Sequence, residues 1–295
     1  MDYSRLPTEK QNPKTRSLDT LSPEKILALM SSEDGKIARA VKRVSPAIAR
    51  AVKRVVASLK KGGRLFFLGA GTSGRMGVLE AAECPPTFNT PPSLVQAVMA
   101  GGKRAVFRSQ EGAEDRGLEA RCEIKRRVRK GDVVIGVSAS GVTPFVREAL
   151  RQAKKQGAKT VLVACNYFSP IRTLADVLIA PRTGPEVITG STRLKAGTAT
   201  KLILNRITVA SMVRLGKVYG NWMVDLEPKS KKLRERGLGI LKRLTGLSDR
   251  KAKRLLQQAR GRVKTAILMG RRNWPYRQAL RALEKKGGFL REALS

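Results

Sequence analysis

The sequence predicts an α/β protein: a parallel sheet covered on both faces, with helices before it and a small helical module after it. Three observations predict this. Between residues 65 and 179, short apolar segments alternate with longer helical patterns, which is the signature of βαβ units. The segments Leu65–Leu68 and Val133–Val137 are continuously apolar, as strands buried on both faces are. After Pro228 no strand pattern appears, and residues 231–295 carry 20 Lys and Arg against 4 Asp and Glu, net +16.

The elements follow in order. Residues 1–20 are polar, with Pro7 and Pro13, and read as an arm. Ser22-Pro23-Glu24 supplies an N-cap, a first-position proline and a first-turn acid for a helix to about Ser31. A longer helix over 35–61 is broken or kinked near Pro46 and ends at Gly62-Gly63. Strands are expected at Leu65–Leu68, Leu94–Met99, Val133–Val137, Thr160–Ala164 and Val177–Ile179. Helices are expected at Ser73–Ala82, stopped by Pro85 and Pro86, then at Glu114–Arg129, Thr143–Gln156 and Arg193–Tyr219, the last with candidate breaks at Gly197 or Gly216. Three short helices complete the chain: Asp249–Gln258, Val263–Met269 and Pro275–Leu283, with Gly246, Gly261, Gly270 and Gly287-Gly288 as punctuation. The resulting division is an N-terminal arm and helices over 1–50, an α/β domain over 51–228 and a helical module over 229–295.

The chain has 295 residues, 41% of them hydrophobic, enough for a substantial core and against wholesale disorder. Its longest apolar runs are too short to cross a bilayer, and its first residues lack the apolar stretch of a signal peptide. Three cysteines, Cys84, Cys122 and Cys165, give no disulfide framework and point to a cytoplasmic setting. There is no histidine. That excludes Ser-His-Asp and Cys-His triads, His metal sites and histidine acid–base chemistry. Sixty Lys and Arg against 23 Asp and Glu, net +37, predict attraction to anions of every kind.

Gly69-Ala70-Gly71-Thr72-Ser73-Gly74 follows a strand and opens a helix, and it matches the dinucleotide fingerprint G-x-G-x-x-G. That reading requires an acid at the end of the second strand, which instead ends Met99-Ala100-Gly101-Gly102. A phosphate monoester fits better: glycines admit the ligand, helix amides point at it, and Thr72 and Ser73 supply hydroxyls. Ser138-Ala139-Ser140-Gly141, leading to Thr143-Pro144, repeats the arrangement after the third strand. One such turn reads as a capped loop; the pair reads as a phosphate site. Thr189–Thr198 adds hydroxyls with Arg193 and Lys195, an anion clamp or else a capped helix start with solvated charges. Glu83 follows the first loop's helix, and Glu114 stands where a loop enters a helix. Glutamates in such places are ordinarily first-turn acids or surface carboxylates, and Glu80, Glu111 and Glu119 are read that way. Cys84 reads as a small buried residue.

The motifs Gly69–Arg75, Glu83-Cys84-Pro85-Pro86-Thr87, Glu111–Asp115, Gly190–Thr198, Leu215–Asn221 and Met223-Val224-Asp225 occur together and in order. In this the chain resembles the N-acetylmuramic acid 6-phosphate etherase family, from roughly Ser22 to the C-terminus. The resemblance implies a sugar isomerase (SIS) domain, a phosphosugar-binding α/β sandwich, followed by a helical module likened to ubiquitin-associated domains. It implies a homodimeric lyase of cell-wall sugar recycling with no metal or organic cofactor. The lyase would cleave the D-lactyl ether of N-acetylmuramate 6-phosphate to N-acetylglucosamine 6-phosphate and D-lactate. By motif match, Glu83 resembles the family's acid and Glu114 its second catalytic carboxylate. A desolvated Glu can serve as acid and a more polar one as base. The substrate-binding set is then Gly71, Thr72, Ser73, Ser138, Ser140, Gly141, Thr143, Arg193 and Lys195. The chain departs from the family at Val142, where Arg is usual, and over Leu226-Glu227-Pro228-Lys229-Ser230.

Two other readings compete. A non-catalytic SIS-domain phosphosugar sensor would carry a second SIS domain, which this chain lacks. A SIS-type transcription regulator would carry a helix-turn-helix, and residues 1–62 offer no turn-separated recognition helix. With 4% aromatic residues there is little for base stacking, so nucleic acid is expected only as a non-specific partner.

Overall fold

The computed structural model describes residues 4, 6–226, 228 and 230–295. The chain forms two compact units, one of Met1–Ala82 and Ser93–Thr208, the other of Glu83–Pro92 and Val209–Ser295. The expectations for Glu227 and Lys229, and for residues 1–3 and 5 of the arm, lie outside the described residues.

In the first unit the arm is docked. Leu6, Thr8, Asn12 and Thr15 are buried, and Thr15 Oγ1 donates to the Val187 carbonyl at 2.9 Å. Helix α1 spans Pro23–Asp34, with Pro23 at its first position. The next helical stretch is two helices, α2 (Ile37–Arg43) and α3 (Ser45–Lys60), the second admitting Pro46 at its amino end, where no backbone donor is needed.

The sheet has the order β2-β1-β3-β4-β5, all parallel. Its strands are β1 Leu65–Gly69, β2 Val95–Met99, β3 Val133–Val137, β4 Lys159–Val163 and β5 Val177–Ile179, each within a residue of its expected bounds. On one face Phe66, Leu68, Val134 and Leu162 pack with residues of the crossover helices, Ala120, Ile124, Phe145, Val146 and Leu150. Full burial of such side chains is worth roughly 1.5–3 kcal/mol each. The next residue along, Phe67, faces the other way, and a methyl on Gly77 would lie only 2.8 Å from its Cβ. At the amino ends of the strands, buried Asp132 accepts from Arg64 N (2.8 Å), Arg129 N (2.9 Å) and the Arg64 guanidinium (2.7 Å). That edge is closed by structural hydrogen bonds, and the carboxyl edge carries the loops of interest.

The helices that follow these strands differ from expectation at their ends. Helix α4 runs Gly71–Phe88, straight through Pro85 and Pro86. Two adjacent prolines in a last turn each remove one donor but keep helical φ, and burial of Cys84 and Phe88 holds the turn. Asn89 then stops it at φ 50°. A four-residue helix, α5 (Arg104–Phe107), was not foreseen. The helix expected from Glu114 is a short 3-10 turn, Ala113–Asp115, followed by α6 (Gly117–Arg127), because Arg116 between them leaves helical geometry at ψ 63°. Helices α7 (Pro144–Lys155) and α8 (Lys195–Arg214) complete this part, with Gly197 inside α8 rather than breaking it.

The second unit is helical in its C-terminal part: α9 Lys231–Thr245, α10 Asp249–Gln258, α11 Val263–Arg272, α12 Tyr276–Lys285 and α13 Leu290–Leu294. Leu241, Ile267, Leu268 and Ala279 form its core. Helices α9 and α13 were not expected, and Gly270 lies within α11 instead of punctuating it. The reason is packing. A methyl on Gly237 would come within 2.8 Å of Val263 Cγ2, and one on Gly270 within 3.0 Å of Leu255 Cδ2. These glycines let helices touch; they do not end them. No helix among the described residues is long and apolar enough to cross a membrane.

Candidate active site

Strands β1 and β3 are neighbours, but the chain leaves β1 toward β2 on one side and β3 toward β4 on the other. Their carboxyl ends, Gly69 and Val137, stand in register. Such a switch point opens a crevice at the carboxyl edge, where open α/β sheets bind ligands. The two Ser-rich loops leave from these two residues.

The first loop is tight. A methyl on Gly74 would lie 2.5 Å from the Gly69 carbonyl oxygen, so only glycine lets α4 start this close to β1. Thr72 and Ser73 are half-buried in the first turn of this 18-residue helix, whose amino end favours an anion. Arg75 donates to the Ala105 and Val106 carbonyls at 2.8 and 2.9 Å, fastening the segment after β2 against α4.

The second loop is organised by Ser138. Its buried hydroxyl shares a 2.7 Å hydrogen bond with Thr143 Oγ1 and accepts from Gly141 N at 3.0 Å. Gly141 takes φ 72°, and its carbonyl accepts from Ser169 Oγ at 2.5 Å. Ser140 and Thr143 remain half-buried in front of α7. Val142 is buried and presents no charge.

The third cluster is split by the structure. Arg193 is exposed. Lys195 is 1% exposed, and its Nζ lies 2.5 Å from Glu33 Oε2, itself buried on α1. The start of α8 is already capped, since the Glu186 carboxylate accepts from Lys195 N and Ala196 N at 2.9 Å each. Two residues on, a methyl on Gly197 would meet Thr72 Cγ2 at 3.5 Å, so the start of α8 abuts the first loop. Burial pushes the Glu186 carboxyl up, opposed by those two amides. Neither Glu33 nor Glu186 carries a local sequence signal; each meets its partner only through the fold. Glu80, read as a surface acid, is also buried. It accepts from Lys201 (2.7 Å), Asn205 (2.9 Å) and Thr208 (2.7 Å), joining α4 to α8.

Glu114 is exposed in its 3-10 turn and lines a cavity of about 110 Å³ with Gly71, Arg75 and Glu111. That places it beside the first loop. Glu83 is exposed on α4, within the second unit; it stands on the helix, not in a loop after it. Cys84 and Cys165 are buried, and burial pushes the Cys165 thiol up to about 12, so it stays protonated and unreactive.

Burial pushes the Glu33 carboxyl up, but the hydrogen bonds and charges of Lys195 and Lys36 outweigh it and hold the group at about 2, below its ordinary 4.5. A depressed carboxyl stabilises the fold above its unfolded pKa and loses that contribution as pH falls through the folded value. Denaturant melts at pH 6, 4 and 3 are therefore expected to show a steeper acid-side loss in the natural chain than in Glu33→Gln. The difference should open between about pH 4.5 and 2. Parallel pH profiles would remove Glu33 from the acid response.

Comparison with known proteins places this geometry. Residues 47–154 match the glucokinase regulatory protein N-terminal SIS domain family, and residues 115–209 the SIS domain family. A phosphoheptose isomerase from Francisella tularensis shares the fold at a TM-score of 0.52 and 18% identity, covering 67% of this chain and 98% of that one. The N-acetylmuramic acid 6-phosphate etherase of Geobacillus thermodenitrificans (strain NG80-2) is 49% identical over 290 residues, 98% of each chain. That of Rhizobium rhizogenes (strain K84 / ATCC BAA-868) is 47% identical, covering 100% of this chain and 96% of its own. With such identity along nearly the whole of both chains, and with the SIS fold in place, the chain belongs to the N-acetylmuramic acid 6-phosphate etherase family.

Proposed function

We propose that the chain cleaves the D-lactyl ether of N-acetylmuramate 6-phosphate by elimination and hydration, yielding N-acetylglucosamine 6-phosphate and D-lactate in the recycling of cell-wall sugar. The observation that carries the reading is the pair of anion loops on adjacent strands β1 and β3, with Glu114 in the cavity beside the first, in a chain of this family.

In the open-chain sugar the C2 proton is acidified by the C1 aldehyde. Glu114 takes that proton. The electron pair forms the C2–C3 double bond, and the C3–O bond breaks as Glu83 protonates the departing lactate oxygen. Water then adds at C3 of the unsaturated aldehyde and C2 is reprotonated, so the product gains the hydroxyl that the ether had occupied. Two carboxylates suffice, and no histidine, metal or organic cofactor is required.

The phosphate is assigned to Thr72, Ser73, Ser140 and Thr143, with the amides that open α4 and α7; Gly71, Ser138 and Gly141 give the loops their shape. Arg193 meets a second anionic group of the substrate. Lys195, paired with Glu33, sets the start of α8. Because the phosphate is remote from C2 and C3, Ser73→Ala or Ser140→Ala is expected to weaken binding more than it slows bound chemistry. Each lost hydroxyl contact to a charged phosphate should cost about 1.5–3 kcal/mol in calorimetry with N-acetylglucosamine 6-phosphate. Unchanged affinity in both variants would remove the loops from the site.

We assign the enzyme to the cytoplasm as a homodimer, with residues 1–50 as arm and helices, 51–228 as SIS domain and 229–295 as helical module. Phe107 and Phe168, 88% and 77% exposed, supply apolar surface for a second copy. Nucleic acid is held only non-specifically, through charge. The sensor alternative draws on the 47–154 match alone, whereas the etherase relatives match along nearly the entire chain. Incubation with N-acetylmuramate 6-phosphate and an assay for D-lactate separates the two: an etherase releases lactate, a sensor binds and releases none.

A further inference from the structure

A second cavity in the first unit, of about 490 Å³, is lined by Lys14, Lys36, Arg39, Arg43, Arg182 and Lys195 against one carboxylate, Glu33. That carboxylate is consumed, paired with both Lys195 and Lys36. The chain as a whole carries 60 basic to 23 acidic residues, so it is the gathering of these groups around one space, and not their number, that marks the site. Arg39 and Arg43 are four residues apart on α2 and share one helix face, where like charges repel. Arg182, on the segment after β5, faces the same cavity with the Thr183 residue beside it. The fold thus gathers guanidinium groups from α2 and the β5 loop, with lysines from the arm and α8, around a space that holds no free base. The residues suit binding, not acid–base chemistry. Guanidinium forks match the paired oxygens of phosphate groups.

We propose that this cavity is an effector site for a compact polyanion carrying two linked phosphate groups, separate from the anion loops of β1 and β3. Several cations around one small space favour concentrated charge over a single carboxylate or monoester. One wall residue, Lys195, begins α8, and Gly197 of that helix lies against Thr72. Occupancy is therefore felt at the first anion loop, a consequence that rests on that loop being the phosphate site; the binding itself does not.

Pyrophosphate is the probe. Calorimetry on the full chain, with N-acetylglucosamine 6-phosphate saturating so that the anion loops are filled, is expected to show one pyrophosphate per chain. Binding should weaken at least tenfold in Arg39→Ala/Arg43→Ala and stay within threefold in Ser140→Ala. Arg39 and Arg43 are exposed, and a circular-dichroism melt of the double variant checks that it folds; Arg182→Ala supplies an independent second test. Absence of pyrophosphate binding, equal affinity in the arginine variants, or a loss confined to Ser140→Ala would overturn the proposal. If the sugar phosphate itself fails to bind, the loop reading fails, and the arginine variants still decide this one.

Discussion

Glu114→Gln and Glu83→Gln are each expected to lose roughly 10²–10⁴-fold in turnover while still binding N-acetylglucosamine 6-phosphate, because a positioned general acid or base typically contributes that much. The amide keeps the size of the side chain and removes its proton chemistry. Both residues are exposed and neither supports packing, so the fold should survive and circular dichroism should be unchanged. The assignment of roles has its own readout. With Glu83 replaced, the C2 proton should still exchange with deuterated solvent although no lactate leaves. With Glu114 replaced, exchange itself should stop. Near-normal lactate release from either variant would mean that the wrong carboxylate has been chosen.

Lys195→Met is expected to destabilise the protein by about 3–5 kcal/mol in denaturant unfolding, since it leaves a buried carboxylate with only Lys36. The companion variant decides how to read that loss. In Glu33→Gln/Lys195→Met both charges are gone, and most of the stability should return; the coupling between the sites follows from the four-variant cycle. If Lys195 also touched substrate directly, the double variant would be stable yet show a raised KM. A structural role predicts a KM close to that of the natural chain. A single Lys195→Met variant as stable as the natural protein would show that the pair contributes nothing.

The sheet and both Ser-rich strand-to-helix loops were legible in the sequence because they depend on local signals. Continuous apolar runs mark Leu65–Leu68 and Val133–Val137, and small hydroxyl residues sit where each strand hands over to a helix. Comparison with relatives then supports the family that the ordered motifs had suggested. What local signals cannot give is pairing across the chain. Glu33 and Lys195 are 162 residues apart in sequence. Glu80 looked like any helical acid until α8 brought Lys201, Asn205 and Thr208 to it. Helix α9 was not expected from the sequence, and its Gly237 is required by the approach of Val263. The prolines of α4 misled in the same direction: a rule about helix interiors was applied to a last turn. In each case the tertiary contact overrode the local preference.

The most direct test of the central claim is the fate of oxygen when the enzyme acts on N-acetylmuramate 6-phosphate in H₂¹⁸O. Elimination breaks the bond between C3 and the ether oxygen, and hydration replaces that oxygen from solvent. Mass spectrometry should therefore find the label at C3 of N-acetylglucosamine 6-phosphate and none at the hydroxyl of D-lactate. Label in the lactate hydroxyl would place cleavage on the other side of the ether, and no lactate at all would leave the chain a binder of phosphosugars; either result would contradict the account.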